Sequence, residues 1–306
     1  MAILPMSRSG NETTRQFRSF AWAVAGLTAC YSPALIRLAR VALETEFNSY
    51  IGLVPVIAIG LVWLKGPRFT DFTEPWRALA PALAAAGTAA LSVGIAVGWA
   101  GGFGLSLVIF SYVALIGGAA AWFLGRDVFR GAGFPLAFLV FLVPLPAPIT
   151  AGLESLLQHA SAATAGVCFQ LSDLPVFQRG DLEFQLPGIT IEVAPECSGI
   201  QSSMALFIVS LAAGYVFLRS PWRRAVLSFA VVPLGIARNA VRILTIAELC
   251  VHIGPEMIDS YIHHHGGWIF FLASLVPFLA LLFLLVRSDR SPSKESDQTK
   301  GVACQS

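Results

Sequence analysis

About eight stretches of this chain, near 20–40, 50–65, 78–99, 104–124, 134–150, 201–218, 225–250 and 268–286, are apolar over lengths that approach a bilayer crossing. Spanning about 30 Å of hydrocarbon takes about 20 residues of α-helix. Backbone in lipid must also satisfy its own polar groups, which admits only helices and closed barrels. Continuous runs of this length specify helices. The expected fold is an all-α polytopic membrane protein with about eight transmembrane helices. Composition agrees, because 56% hydrophobic and 12% charged residues leave too little polar surface for an ordinary soluble domain. Arg37 and Arg40 interrupt the first run and the second is short, so tilt or snorkelling must accommodate both.

Charge placement orients these spans. With the N-terminus in the cytoplasm, Arg8, Arg15, Arg18, Lys65, Arg68, Arg77, Arg126, Arg130, Arg219, Arg223, Arg224, Arg287, Arg290, Lys294 and Lys300 all fall inside, fifteen of the twenty basic residues. Arg37, Arg40 and Arg179 fall outside, and Arg238 and Arg242 lie within a span. The positive-inside rule then places both termini in the cytoplasm of a multi-pass protein of the plasma (inner) membrane. The N-terminus lacks the short apolar core and small-residue cleavage site of a signal peptide, so it is expected to be retained. A net charge of +2 points to no nucleic-acid partner, and the bilayer is the one partner that composition demands.

Three regions follow: a cytoplasmic tail over 1–19, a single membrane-embedded domain over 20–286 and a polar, disordered cytoplasmic tail over 287–306. The longest outer segment, 150–200, has a different character. Leu153, Leu156, Leu157 and Val167 alternate with Glu154, Gln158 and His159 at helical spacing, which predicts a short amphipathic helix at the interface. Leu182, Phe184 and Leu186, then Ile189, Ile191 and Val193, alternate with polar residues around Pro187-Gly188, which predicts a β-hairpin. Open sheet edges do not persist in lipid, so the hairpin must lie outside the hydrocarbon or be covered by protein.

The hairpin leads into Glu196-Cys197-Ser198-Gly199, with an apolar span following at about Ser202. A cysteine at or just before a helix N-terminus meets unpaired N–H groups and the positive dipole end, which favour the nucleophilic thiolate. Ser198 and Gly199 allow backbone to approach a substrate. The five cysteines show no CxxC pair, so neither zinc nor a dithiol redox centre is indicated, and an odd count leaves a free thiol. Within the seventh run, Arg238 and Arg242 lie one turn apart around Asn239, and charges at such depth face a polar interior. A rise of about 1.5 Å per residue from Ala225 puts Arg242 about 25 Å along, toward the outer face. His263, His264 and His265 stand just before the last span, also at the outer face, where imidazole can serve as base or acid. Consecutive histidines point in different directions, so no metal and no cofactor is expected.

Nucleophile, cation and base thus come to one membrane face from three parts of the chain. These residues resemble the exosortase/archaeosortase family: Glu196-Cys197-Ser198-Gly199, Asn239-Ala240-Val241-Arg242, and His263 four residues before Gly267-Trp268. The similarity extends to Val143-Pro144-Leu145-Pro146, Leu157-Gln158 and 180–193, and weakly to 50–55. The resemblance implies a membrane cysteine protease/transpeptidase acting at the outer face. It would cleave the C-terminal sorting signal of exported proteins, a short motif followed by a transmembrane helix and a basic cluster. The cleaved protein would pass, through a Cys197 thioester, to an acceptor nucleophile that the sequence does not name. Arg242 would stabilise the oxyanion, with Arg238 its rival, and His263 would be general acid/base, with His264 its rival. Glu196, Ser198, Gly199 and Asn239 would support them.

A different class, a polytopic transporter, would use Arg238 and Arg242 to line a substrate path. Paired halves would accompany such a protein, and no internal repeat is visible in the sequence. A non-catalytic scaffold would leave the two buried arginines unexplained.

Overall fold

A computed structural model describes residues 10–44, 46–65, 74–172, 175–187, 189–193, 198–254, 256 and 267–290. The chain separates into two compact units, Met1–Gly152 and Leu153–Ser306. Among the described residues six helices are long and apolar enough to cross a membrane, or up to eight if each of two bent pairs counts as one span. The chain is thus a multi-pass, all-α membrane protein with a small sheet.

The first unit holds α1 (Gly10–Cys30), α2 (Ser32–Glu44), a 3₁₀ turn (Glu46–Gly52), α3 (Leu53–Lys65), α4 (Leu79–Val97), α5 (Gly102–Phe123), α6 (Gly125–Gly131), α7 (Gly133–Phe138) and a second 3₁₀ turn (Leu139–Leu142). The expected straight span at 20–40 is instead α1 and α2, bent by 69°. Pro33 is the cause, having no N–H to give to the preceding turn. The Ser32 hydroxyl donates to the Ala29 carbonyl at 2.8 Å there. At the core of this unit the Tyr31 and Ser111 hydroxyls meet at 2.7 Å, and Thr28 and Tyr112 at 2.9 Å. Helices α4 and α5 pack closely because Gly87, Gly94 and Gly118 present no side chain at their contact.

The run at 134–150 is also broken. Pro144 and Pro146 stop the helix, and α8 (Ala147–Leu171) starts afresh with the Pro146 carbonyl accepting the Ile149 N–H at 2.9 Å. Helix α8 is the helix expected from 150 onward, though longer, and its packed face differs from the one expected. It buries Gln158, Ser161, Ala162, Ala165, Gly166 and Phe169, whereas Leu156, Val167 and Leu171 are exposed. Small residues permit close packing on the sheet, and the leucines are left for lipid or interface.

The expected hairpin is present as β2 (Glu183–Leu186) and β3 (Ile189–Glu192), and β1 (Phe177–Arg179) adds a third antiparallel strand. Glu183 pairs with Glu192 and Phe184 with Ile191. Period-two alternation buries Phe184, Leu186, Ile191 and Val193 in one cluster with Ala162, Ala165 and Phe169 of α8 and with Ala240, Ile243 and Ala247 of the long helix described next.

That helix is α10 (Pro221–His252), which follows α9 (Ile200–Phe217) and precedes α11 (Gly267–Arg290). Its first half, at Leu227 and Val231, packs with Leu206 of α9 and Phe278 of α11. Its second half carries the sheet. At about 1.5 Å per residue its 32 residues rise about 48 Å, well beyond the hydrocarbon thickness. Even a tilt of about 40° leaves some 37 Å along the membrane normal, so the helix extends past the lipid.

Asp289 fixes one end of this bundle. It accepts the Arg219 N–H at 2.6 Å and pairs with Arg223, whose Nη2 also reaches the Ser288 carbonyl at 3.2 Å. The close of α9, the start of α10 and the close of α11 therefore share one end. The start of α9, the close of α10 and the start of α11 share the other.

Candidate active site

The start of α9 is shaped by Gly199. Its φ of +67° is left-handed, a conformation that glycine adopts without steric cost. This turn lets Gly199 cap the helix while its carbonyl accepts three donors: the Ser203 N–H at 3.0 Å, the Ser202 hydroxyl at 3.1 Å and Arg238 Nη2 at 3.1 Å. Ser198, 3% exposed, turns its hydroxyl back to accept the Ile200 N–H at 3.4 Å. Helix α9 thus begins at Ile200, two residues earlier than the expected start at about Ser202.

Arg238 is 8% exposed, and its Nη2 also reaches the Ser203 hydroxyl at 3.3 Å. Its Nη1 is buried with no hydrogen-bond partner among the described residues. A guanidinium so enclosed is tolerated only where polar groups meet it, and here these are a carbonyl and a hydroxyl at the first turn of α9. Asn239 is 2% exposed and lies against Gly199, its Oδ1 3.4 Å from where a Cβ on that glycine would stand. Arg242 is half-buried, one turn further toward the sheet-bearing end of α10. Glu248, on the same helix, lies 3.3 Å from His252 Nδ1.

The structure therefore brings Ser198, Gly199, Arg238 and Asn239 together. Glu196, Cys197, His263, His264 and His265 lie outside the described residues. Of the other cysteines, Cys30, Cys168 and Cys250 are free thiols.

Two positions outside the predicted site residues hold this arrangement. Gly235 faces Ser203: a Cβ there would stand 2.5 Å from the Ser203 hydroxyl. Its absence lets α9 and α10 approach closely enough for Arg238 to reach Gly199. A glycine one turn before two arginines in an apolar helix was the available signal. The second is Gln158, whose Nε2 donates to the carbonyl of Val193, the last described residue of the strand segment before Cys197. A buried glutamine among alanines and a glycine on α8 signals such a contact.

Fold and site together define a multi-pass membrane protein in which a buried arginine of a long helix meets the Ser198-Gly199 turn at the start of the helix before it. The family model described as Transmembrane exosortase (Exosortase_EpsH) matches residues 42–280, and the chain belongs to this family, a cysteine-protease-like family of membrane proteins. Comparison with curated proteins and with solved structures returned no match.

Proposed function

We propose that this protein is a membrane cysteine transpeptidase that cleaves the C-terminal sorting signal of exported proteins and transfers them to an acceptor. The observation that carries the reading is the bond from Arg238 to Gly199, which ties a buried cation of α10 to the turn that follows the cysteine. Gly199 follows Cys197 by two residues and Gly267 follows His263 by four. Both glycines stand at the end of the bundle where α10 bears its sheet. Membership of the exosortase family supports the same reaction class.

In this mechanism the Cys197 thiolate attacks the scissile carbonyl, and Arg242 stabilises the oxyanion that forms. Collapse breaks the C–N bond, with His263 (rival His264) protonating the leaving amine and a thioester remaining on Cys197. The same imidazole then takes a proton from the acceptor nucleophile, which attacks the thioester and frees the thiolate. Arg238 holds the Gly199 turn, while Asn239, Ser198 and Glu196 support it. Charge placement puts both termini in the cytoplasm of the inner membrane and the reaction on its outer face.

The test is processing of an exported protein that carries a short motif, an apolar helix and a basic cluster at its C-terminus. Cys197→Ala is expected to abolish processing while the protein stays folded and abundant. Unchanged processing in that variant overturns the assignment. Arg242→Lys is expected to be severely impaired, because an ammonium does not reproduce the guanidinium fork. Normal activity there moves the oxyanion role to Arg238.

A further inference from the structure

We propose that the first unit carries a binding site for an anionic glycerophospholipid, with the phosphate held by Arg126 and Arg130 and one acyl chain lying in the groove between α4 and α5. The two arginines lie one turn apart on α6, both exposed, and both meet the same residue. Arg126 Cζ is 5.3 Å and Arg130 Cζ 5.6 Å from the centroid of the Trp76 ring. Phe129 braces that ring edge-on at 5.7 Å. Stacking engages the face of a guanidinium and leaves its N–H edge free to donate, the geometry that suits phosphate oxygens. Two cations gathered on one ring also repel each other, and a shared anion relieves that repulsion.

Trp76 joins these arginines to the groove. Its backbone N–H donates to the Ala121 carbonyl at 3.0 Å, and its backbone carbonyl accepts the Ala80 N–H at 3.0 Å. Ala80 and Ala84 of α4, with Gly118, Ala119, Trp122 and Phe123 of α5, line a cavity of about 260 Å³ that has no charged residue in its wall. That volume suits an extended hydrocarbon chain better than a helix about 10 Å across.

Charge selects the occupant. Arg77 adds a third exposed cation at this end, and among the described residues the carboxylates on the same segments are those of Glu74 and of Asp127, which has contacts of its own. A peptide helix that ends in a basic cluster is repelled here, whereas an anionic headgroup with an acyl chain meets a matching surface at both of its parts. The site uses none of the residues proposed for chemistry.

Native mass spectrometry of the purified full-length protein tests this with dioleoylphosphatidylglycerol, dioleoylphosphatidylcholine and glycerol 1-phosphate as probes. The expected result is a one-to-one adduct with the anionic lipid that survives at energies stripping the zwitterionic one, and no adduct with glycerol 1-phosphate. At about fivefold per cation near a lipid surface, R126Q/R130Q is expected to weaken anionic-lipid binding about 30-fold. Ala119→Leu fills the groove and is expected to weaken it while leaving both arginines in place. R126K/R130K keeps the charge if the glutamine pair does not fold, and is expected to bind more weakly than the native protein because the planar fork is lost. Equal retention of both lipids, or undiminished binding in the arginine or groove variants, overturns the proposal, and tight glycerol 1-phosphate binding overturns the acyl-chain part. Cys197→Ala is expected to bind as the native protein does, so failure here and failure of the transpeptidase reading are separate results.

Discussion

Arg238 Nη2 stands 3.1 Å from the carbonyl oxygen of Gly199, joining the middle of α10 to the first turn of α9. The same nitrogen reaches the Ser203 hydroxyl at 3.3 Å, so one planar group serves two acceptors. A lysine presents its donors from a single point on a flexible stem. Arg238→Lys is therefore expected to lower processing by about 10–100-fold, the scale of a lost charge-assisted hydrogen bond. Processing rate normalised to protein level in membranes checks this, and a loss that merely tracks abundance shows a folding role alone.

Gly199→Ala tests the turn itself. An alanine held at φ +67° costs about 1–2 kcal/mol. Its Cβ would also stand 3.0 Å from Arg238 Nη2. Activity is expected to fall at least about tenfold, with Gly152→Ala as a control, since a Cβ at Gly152 meets nothing within 4 Å. Equal behaviour of the two variants in the processing assay contradicts the assigned turn.

The approach of α9 to α10 is tested by a compensating pair. Gly235→Ala places a Cβ 2.5 Å from the Ser203 hydroxyl, and that oxygen lies at a packed contact. Overpacking of this kind costs about 1–3 kcal/mol, so the thermal midpoint in detergent is expected to drop. Removing the hydroxyl in Gly235→Ala/Ser203→Ala leaves the Ser203 Cβ at an ordinary 3.4 Å and is expected to recover most of the loss. Additive destabilisation in the double variant contradicts the contact.

Gln158→Ala removes the donor that meets the Val193 carbonyl. A neutral hydrogen bond contributes about 1 kcal/mol, so stability is expected to change modestly. Processing is expected to fall by more than that, because the strand end leading to Cys197 loses its tie to α8. Side-by-side thermal melts and processing rates separate the two effects.

Much of this architecture was legible in the chain because hydrophobic periodicity and charge are local signals. The apolar runs, the hairpin around Pro187 and the helix after Ser198 could all be read that way. Pro33 and the Pro144/Pro146 pair were visible as breakers, yet mean apolarity over 20–40 and 134–150 concealed them. The strand Phe177–Arg179 is three residues long, too short for alternation to register. The contact of Gly235 with Ser203 and that of Gln158 with Val193 join residues distant in sequence, and no window of the chain contains them. For the same reason, Arg238 and Arg242 were equivalent by spacing, and only the packing of α9 on α10 distinguishes the residue that meets Gly199.

The length of α10 has a dynamic consequence. A rise of about 48 Å over 32 residues places its lipid-surrounded turns and its sheet-bearing turns in different solvents within one helix, whose hydrogen-bond ladder Pro233 interrupts in the first half. Amides along its middle should hold deuterium out for as long as the bilayer does, whereas those from about Leu244 to His252 should exchange at a pace set by opening of the sheet. The proposed chemistry would then sit where one helix passes from membrane-limited to fold-limited protection.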